Sequence, residues 1–377
     1  MVGALAIDSY LPSIPAIGRE FAVSAIAVQQ TLSLFLFAFA FMMLFYGTLS
    51  DSFGRRPVLL IALTVYTLAS LGAAYSPNFG WLLACRVLQG LSAGAGSVIG
   101  AAVVQDRFAG AQAQRMMSHI MMVFGLAPAI APVIGGYLHV TFGWRSTFYF
   151  LCAFGLTMFT LCFRMLPESL PREKRQPFHP VVISKNYLMV LQRRRFVFMA
   201  LTLGVAFGGV AIYIGSAAHF VMDILHKPET AFAWMFIPLI GGMVAGSALA
   251  GKRAARSTLA ATIGLGFAIM FAGALLGVGY NAAFAAEVPW AVLPLAVYTF
   301  GLAVAMPAIQ QEALSLFPDN RGLAASMQSF IQMLAFALVS GLVAPMLFDS
   351  ALKLSAGLAV CVSLSFVCWR IGAHTEE

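Results

Sequence analysis

Two charged residues sit where the chain is otherwise apolar. Arg86 follows WLLAC and precedes VLQGLSAGAGSVIGAAVV, and Asp8 is the only acidic residue before Glu20. A charge placed inside lipid costs about 2.5–3.5 kcal/mol on insertion scales. Something must therefore offset Arg86: a carboxylate, a ring of polar groups or a wet cavity. Gln89 lies three residues further on, on the same helical face. A carboxylate in an apolar setting favours its neutral form, because desolvation disfavours the charge. Asp8 could then take up a proton from one side and release it to the other, in competition with a cationic or polar solute. That is linkage between proton and solute at one site. The blander alternatives are a solvated Asp8 near a membrane face and a structural Arg86 that bonds backbone carbonyls.

A second constellation is GTLSDSFGRRP, residues 47–57, which packs Asp51, Arg55 and Arg56 between long apolar runs. Gly47 and Gly54 permit close helix approach and an unusual backbone. Carboxylates add little to membrane topology, so Asp51 needs another purpose. It could pair with Arg55 or accept from a helix N-terminus in the other half of the chain. The cluster is a candidate latch for one conformational state.

These residues need elements to hold them. The chain has 377 residues, 61% hydrophobic and 10% charged, with a net charge of +8 and a mean hydropathy of +0.89. A soluble domain carries about 25% charge, and about 20 apolar residues cross a bilayer as a helix. Charge-poor runs lie near 28–50, 57–76, 80–104, 116–138, 146–165, 196–220, 230–250, 257–279, 288–311, 322–343 and 347–369. A shorter run, Met1 to about Ile17, precedes them, which gives twelve spans. That first run is short for a full crossing, and a missing turn or two before Met1 is favoured over an unusually short helix. The expected fold class is an all-α membrane protein of twelve transmembrane helices in two six-helix halves.

With the N-terminus inside, seventeen of the 22 Lys and Arg residues fall in inside loops and four in outside loops. This bias places both termini in the cytoplasm. The basic residues sit in short loops, so nucleic acid is not an expected partner. The stretch 167–195, PESLPREKRQPFHPVVISKNYLMVLQRRR, divides the spans six and six. The expected units are 1–166, a cytoplasmic linker 167–195 with a short interfacial helix at 181–192, and 196–377. GSALAGKRAARS at 246–257 echoes GTLSDSFGRRP without the Asp, as a parallel repeat would. All five cysteines (Cys85, Cys152, Cys162, Cys361 and Cys368) lie inside apolar runs and read as packing residues. There is no HExxH, GxSxG, Walker A or metal-ligand cluster, so an enzyme is not expected, nor any cofactor beyond a coupling proton.

GLAPAIAPVIGG, 125–136, carries Gly125, Pro128, Pro132, Gly135 and Gly136. Prolines kink a spanning helix, and glycines let another helix approach. The segment reads as a flexing and sealing interface between halves. IPLIGGMVAGSALAG at 237–251 is its match in the second half. Aromatic residues are abundant. Phe35, Phe39, Tyr213 and Phe236, with Gln89, Gln328 and Gln332 as polar companions, are the candidates to line a pocket for drug-like molecules.

The chain resembles the major facilitator superfamily. GTLSDSFGRRP resembles its motif A, RVLQGLSAG at 86–94 its motif B, and GLAPAIAPVIGG its motif C, a signature of drug:proton antiporters. IDSYLPSIP at 7–15 and VQDRFAG at 104–110 are similar to the twelve-span bicyclomycin- and chloramphenicol-resistance (Bcr/CflA) subgroup. An Arg before Asp106 is expected there, where this chain has Gln105; this reads as a minor rearrangement of loop charges. The resemblance implies a proton-coupled antiporter in a bacterial cytoplasmic membrane, exporting small drug-like compounds by alternating access. Asp8 and Arg86 would serve proton coupling. The expected partners are a small-molecule substrate and membrane lipid, and a monomer is expected. The alternative is a facilitator or proton symporter for a small metabolite such as a sugar or organic acid.

Overall fold

A computed structural model of the chain describes residues 2–108, 110–175, 180–253, 257–317 and 321–375. Among them every regular element is a helix, as lipid demands of a chain whose backbone groups find no partner outside it. The chain divides into two compact units, Met1–Pro180 and Val181–Glu377.

In the first unit the chain forms α1 (Val2–Asp8), α2 (Ile14–Phe21), α3 (Ala25–Phe53), α4 (Arg55–Ala74), α5 (Phe79–Ala93), α6 (Ala95–Arg107), α7 (Gly110–Phe142) and α8 (Arg145–Met165). In the second it forms α9 (Pro180–Gln192), α10 (Arg194–Gly215), α11 (Ala233–Arg253), α12 (Leu259–Ala283), α13 (Leu293–Ser315), α14 (Arg321–Leu338) and α15 (Ala351–His374). The helix expected at 181–192 is α9. Among the described residues ten helical stretches are long and apolar enough to cross a membrane, with α5 and α6 running on as one. The two other expected spans, Met1 to about Ile17 and 116–138, fall on α1 with the start of α2 and on α7, a helix of 33 residues.

The first segment is a broken helix. Pro12 and Pro15 each remove a backbone donor, and a 3₁₀ turn at Leu11–Ser13 separates α1 from α2. Ser9 closes α1 by donating from both its hydroxyl and its N–H to Leu5 O, at 2.6 and 3.0 Å. Side-chain caps start three other helices. Ser24, Asn78 and Thr258 accept from the N–H groups of Ala27, Trp81 and Ala261 at the starts of α3, α5 and α12.

The two units share one packing scheme. In the first, α3 packs on α5, α4 on α5 and α8, and α1 on α5, α7 and α8. In the second, α11 packs on α13, α12 on α13 and α15, and α10 on α13, α14 and α15. These are the same six pairings when the spans of each half are counted from one to six, so the faint sequence echo is a structural repeat. Small residues bring the helices together, as expected where lipid removes the hydrophobic drive. A Cβ on Gly90 would stand 2.2 Å from Phe35 O across α5 and α3, and one on Gly246 2.2 Å from Phe300 O across α11 and α13.

Candidate functional site

The break in the first helix sets up the buried polar site. It turns Ala6 O and the Tyr10 ring toward Arg86, which α5 carries and which has no exposed surface. Arg86 Nε donates to Thr31 O at 3.1 Å, and Nη1 donates to Ala6 O at 3.2 Å and Gln89 Oε1 at 3.0 Å. The guanidinium lies between two rings, 4.3 Å from the Tyr10 centroid and 4.4 Å from that of Phe35. Such a stack suits the flat, weakly hydrated arginine head and contributes about 2 kcal/mol when desolvated. The Thr31 hydroxyl donates to Val28 O, so Tyr10 must be the donor in the 2.6 Å bond between Tyr10 and Thr31. Gln89 passes the network on, donating to Ser70 Oγ on α4 at 2.8 Å.

A ring of polar and aromatic groups is thus the offset that the buried charge required, and no carboxylate belongs to it. Asp8 is 3% exposed. Its Oδ1 has no hydrogen-bond partner, and neither has Arg86 Nη2. No ion pair joins the two. Gln89 is turned into the helix bundle, where it spans Arg86 and Ser70. Phe35 is fully buried against the guanidinium, and Phe39 stacks on Phe35 with centroids 6.2 Å apart.

The second site lies at the junction of α3 and α4. Asp51 pairs with Arg55 Nη1 one turn on, the first of the two partners expected for it. Arg55 is the hub. Its Nη1 also donates to Ser50 Oγ at 2.7 Å, and its Nε to Asp106 Oδ2 at 3.1 Å. Asp106, read in the sequence as a rearranged loop charge, is therefore a partner of the cluster, and Ser169 donates to the same oxygen at 2.8 Å. Glu168, from the chain after α8, caps α4. It accepts from the N–H groups of Arg55 and Arg56 at 3.0 and 3.3 Å, where the helix dipole favours an anion. Arg175 lies 3.7 Å from that carboxylate. Arg56 donates to Phe163 O and stands over the Phe163 ring. Gly54 has φ +101°, and a Cβ there would lie 2.5 Å from Glu168 Oε2. A Cβ on Gly47 would meet nothing within 4 Å among the described residues of its own unit.

In motif C, Pro128 and Pro132 lie inside α7. A Cβ on Gly135 would stand 1.7 Å from Ser9 O, so the motif's glycine seats α7 against the break in the first helix, within its own unit. Gly136 is buried beside it. Gly125 lies outside the residues described beyond their helical backbone.

In the second unit, the Tyr213 hydroxyl lies 3.4 Å from Ser355 Oγ. Asn281 donates to that same oxygen at 2.7 Å, and Ser355 donates to Ala351 O. This joins α10, α12 and α15, and Ser355 and Asn281 were not foreseen. Phe236 is fully buried. Gln328 is 2% exposed, and neither its amide nitrogen nor its oxygen has a partner. Gln332, one turn along α14, is half-buried. On α10's continuation, His219 Nδ1 lies 2.7 Å from Asp223 Oδ2, and the ring stacks on Phe348.

Glu20, at the end of α2, accepts from Trp144 Nε1 at 2.6 Å and Arg145 Nη1 at 2.9 Å, with Arg145 Nη2 2.6 Å from its other oxygen. The Arg145 hydrogen bond holds this carboxyl below the usual glutamate range. The clamp ties the start of the chain to the loop between α7 and α8. Among the described residues no cluster of His, Cys, Asp or Glu could hold a metal ion.

The family model of the Major Facilitator Superfamily matches residues 1–340. The chain belongs to that superfamily. It is a multi-pass membrane transporter and not an enzyme. It is 29% identical, over an alignment of 380 residues, to a bicyclomycin resistance protein homolog of Haemophilus influenzae, covering 98% of this chain and 92% of that one. It is 26% identical to Multidrug resistance protein D of Escherichia coli, with the same coverage. Among solved structures, a D-xylose-proton symporter superposes with a TM-score of 0.74 at 18% identity, over 97% of this chain and 95% of that one. This last likeness bears on the fold alone.

Proposed function

We propose that the protein is a proton-coupled antiporter of the Bcr/CflA type, which exports small drug-like compounds across the bacterial cytoplasmic membrane by alternating access. The observation that carries the reading is Asp8, only 3% exposed, with an oxygen that has no hydrogen-bond partner. A carboxylate left so costs free energy when charged unless a proton or a ligand compensates it. Protonation and solute binding are two ways to meet that cost, and they exclude each other at one group. Arg86 lies in the same unit, tied to the α1 backbone through Ala6 O two residues away. It supplies a fixed positive charge that no carboxylate in its hydrogen-bond shell neutralises. The drug-resistance names of the relatives support export of drugs. Gln328, with its whole amide unpartnered, is the best polar contact for a substrate in the second half, with Gln332, Tyr213 and Phe236 as companions. The Asp51–Arg55–Asp106–Glu168 cluster acts as the latch of one conformational state, with both termini in the cytoplasm.

The test is transport in proteoliposomes with a trapped pH dye. Drugs, including chloramphenicol and organic cations, are added to wild type and to Asp8→Asn. Drug-triggered proton movement in wild type that vanishes in the variant is the expected result. Drug flux without proton movement in either protein would overturn the antiporter reading.

A further inference from the structure

Away from the sites above, the chain between α12 and α13 folds around a hollow of about 370 Å³. It is lined by Tyr280, Phe284, Ala285, Glu287 and Trp290. The Tyr280 and Phe284 rings stack with centroids 5.6 Å apart, and the Tyr280 hydroxyl donates to Ala285 O at 3.1 Å. Backbone bonds brace the rest: Phe284 N–H to Tyr280 O and Ala291 N–H to Glu287 O, both 2.8 Å, and Leu293 N–H to Pro289 O at 3.1 Å. The backbone of the hollow and its Tyr280–Phe284 wall are therefore set before any ligand arrives, which lowers the ordering cost of binding. Phe284 is 67% exposed and Trp290 59%, so both side chains are accessible to an incoming group, although one face of Phe284 is taken by Tyr280. Glu287 is exposed and has no ion-pair partner among the described residues.

Three aromatic rings and one uncompensated carboxylate around a small hollow are complementary to a soft cation. The rings present negative faces, and the carboxylate supplies a full charge. Among the described residues no basic side chain lines the hollow, so it offers little to an anion. Its volume is at the small end of ligand pockets, about 300–1,000 Å³, which suits an ammonium group with short substituents. Rings that merely anchor a helix end in the membrane interface need not share the lining of one hollow with a carboxylate. We propose that this hollow binds an organic ammonium group, carried either by a free cation or by a lipid headgroup.

The test uses the full chain in nanodiscs of phosphatidylglycerol alone, with radiolabelled tetraethylammonium as the probe. Wild type is expected to bind it saturably. Glu287→Gln and Trp290→Leu should each weaken that binding about tenfold. Trp290→Phe, which keeps a ring, and Trp234→Leu, an exposed tryptophan on α11, should stay near wild type, which separates loss of the cage from loss of fold. Discs containing phosphatidylethanolamine distinguish the sources: a weaker apparent affinity for the probe means that the headgroup ammonium occupies the hollow, and an unchanged affinity means that a free cation does. Absence of saturable binding by wild type, or equal binding by Glu287→Gln and Trp290→Leu, would overturn the proposal.

Discussion

Arg86→Lys keeps the positive charge and removes the fork. In the native site one guanidinium reaches Thr31 O on α3, Ala6 O on α1 and Gln89 Oε1 on α5, while its flat face lies between Tyr10 and Phe35. An ammonium is a single point. It cannot hold carbonyls on two helices in the same directions, and it stacks less well between rings. Loss of one charged hydrogen bond costs about 1.5–3 kcal/mol, and weakening of a desolvated cation–ring stack adds about 1 kcal/mol. The expected destabilisation is roughly 2.5–4 kcal/mol. For a unit the size of Met1–Pro180, each kcal/mol shifts the midpoint by about 2–4 °C, so the melting temperature in detergent should fall by roughly 5–15 °C. Proton-coupled transport should fall with it. Arg86→Met tests the converse, since it leaves Ala6 O, Thr31 O and Gln89 Oε1 without the donor that joins them. If Arg86→Lys melts within about 2 °C of wild type and transports normally, the guanidinium geometry is not what holds the site, and the reasoning fails.

Three further outcomes follow from other contacts. Asp106→Asn removes the charge opposite Arg55 Nε and should lower stability by about 1–2 kcal/mol, read as a shifted melting curve, with impaired transport; an unaltered curve and rate would remove Asp106 from the latch. Gly54→Ala forces a side chain into φ +101° and against Glu168 Oε2 and Arg175 Nη2, at a cost of roughly 1–3 kcal/mol read as a lower melting temperature; a variant that melts with wild type would contradict it. The Glu20–Arg145 clamp carries an acid dependence. Glu20 binds its proton less readily when folded, so its stabilising contribution is fully present above the ordinary glutamate value of about 4.3 and is lost as pH falls through the lower folded value. Arg145→Gln should flatten that part of the stability profile between neutral and acid pH, and an unchanged profile would contradict it.

The fold was legible because spanning helices announce themselves by length and apolarity, and because loop arginines and lysines divide into two populations. The repeat was fainter in residues than in packing: GSALAGKRAARS lacks the Asp, yet the helix pairings of the two halves coincide. The first segment was harder to read. Its shortness suggested a missing turn. Pro12 and Pro15, which that reading did not use, split it into two short helices, and that split is what carries Ala6 O and Tyr10 to Arg86. Arg86, Gln89 and Asp51 were visible because charge or amide in an apolar run is costly. Asp106 and Glu168 were not, since each lies in a polar stretch where an acid looks ordinary, and only the folded chain brings them to Arg55. A carboxylate directly after Pro167 at the end of a span was the available signal for Glu168. Ser355 and Asn281 gave no signal, because a lone small polar residue in a helix is usually satisfied by its own backbone, as Ser355 partly is.

The most direct measurement counts protons. Purified protein in weakly buffered detergent is mixed with a transported drug, and proton release is followed by a pH indicator for wild type and Asp8→Asn. If Asp8 holds the exchanged proton, wild type releases protons on drug binding at a pH where Asp8 is protonated, and Asp8→Asn releases none while still binding drug. Equal release from both proteins, or binding without release in wild type at every pH tested, would contradict the assignment of coupling to Asp8.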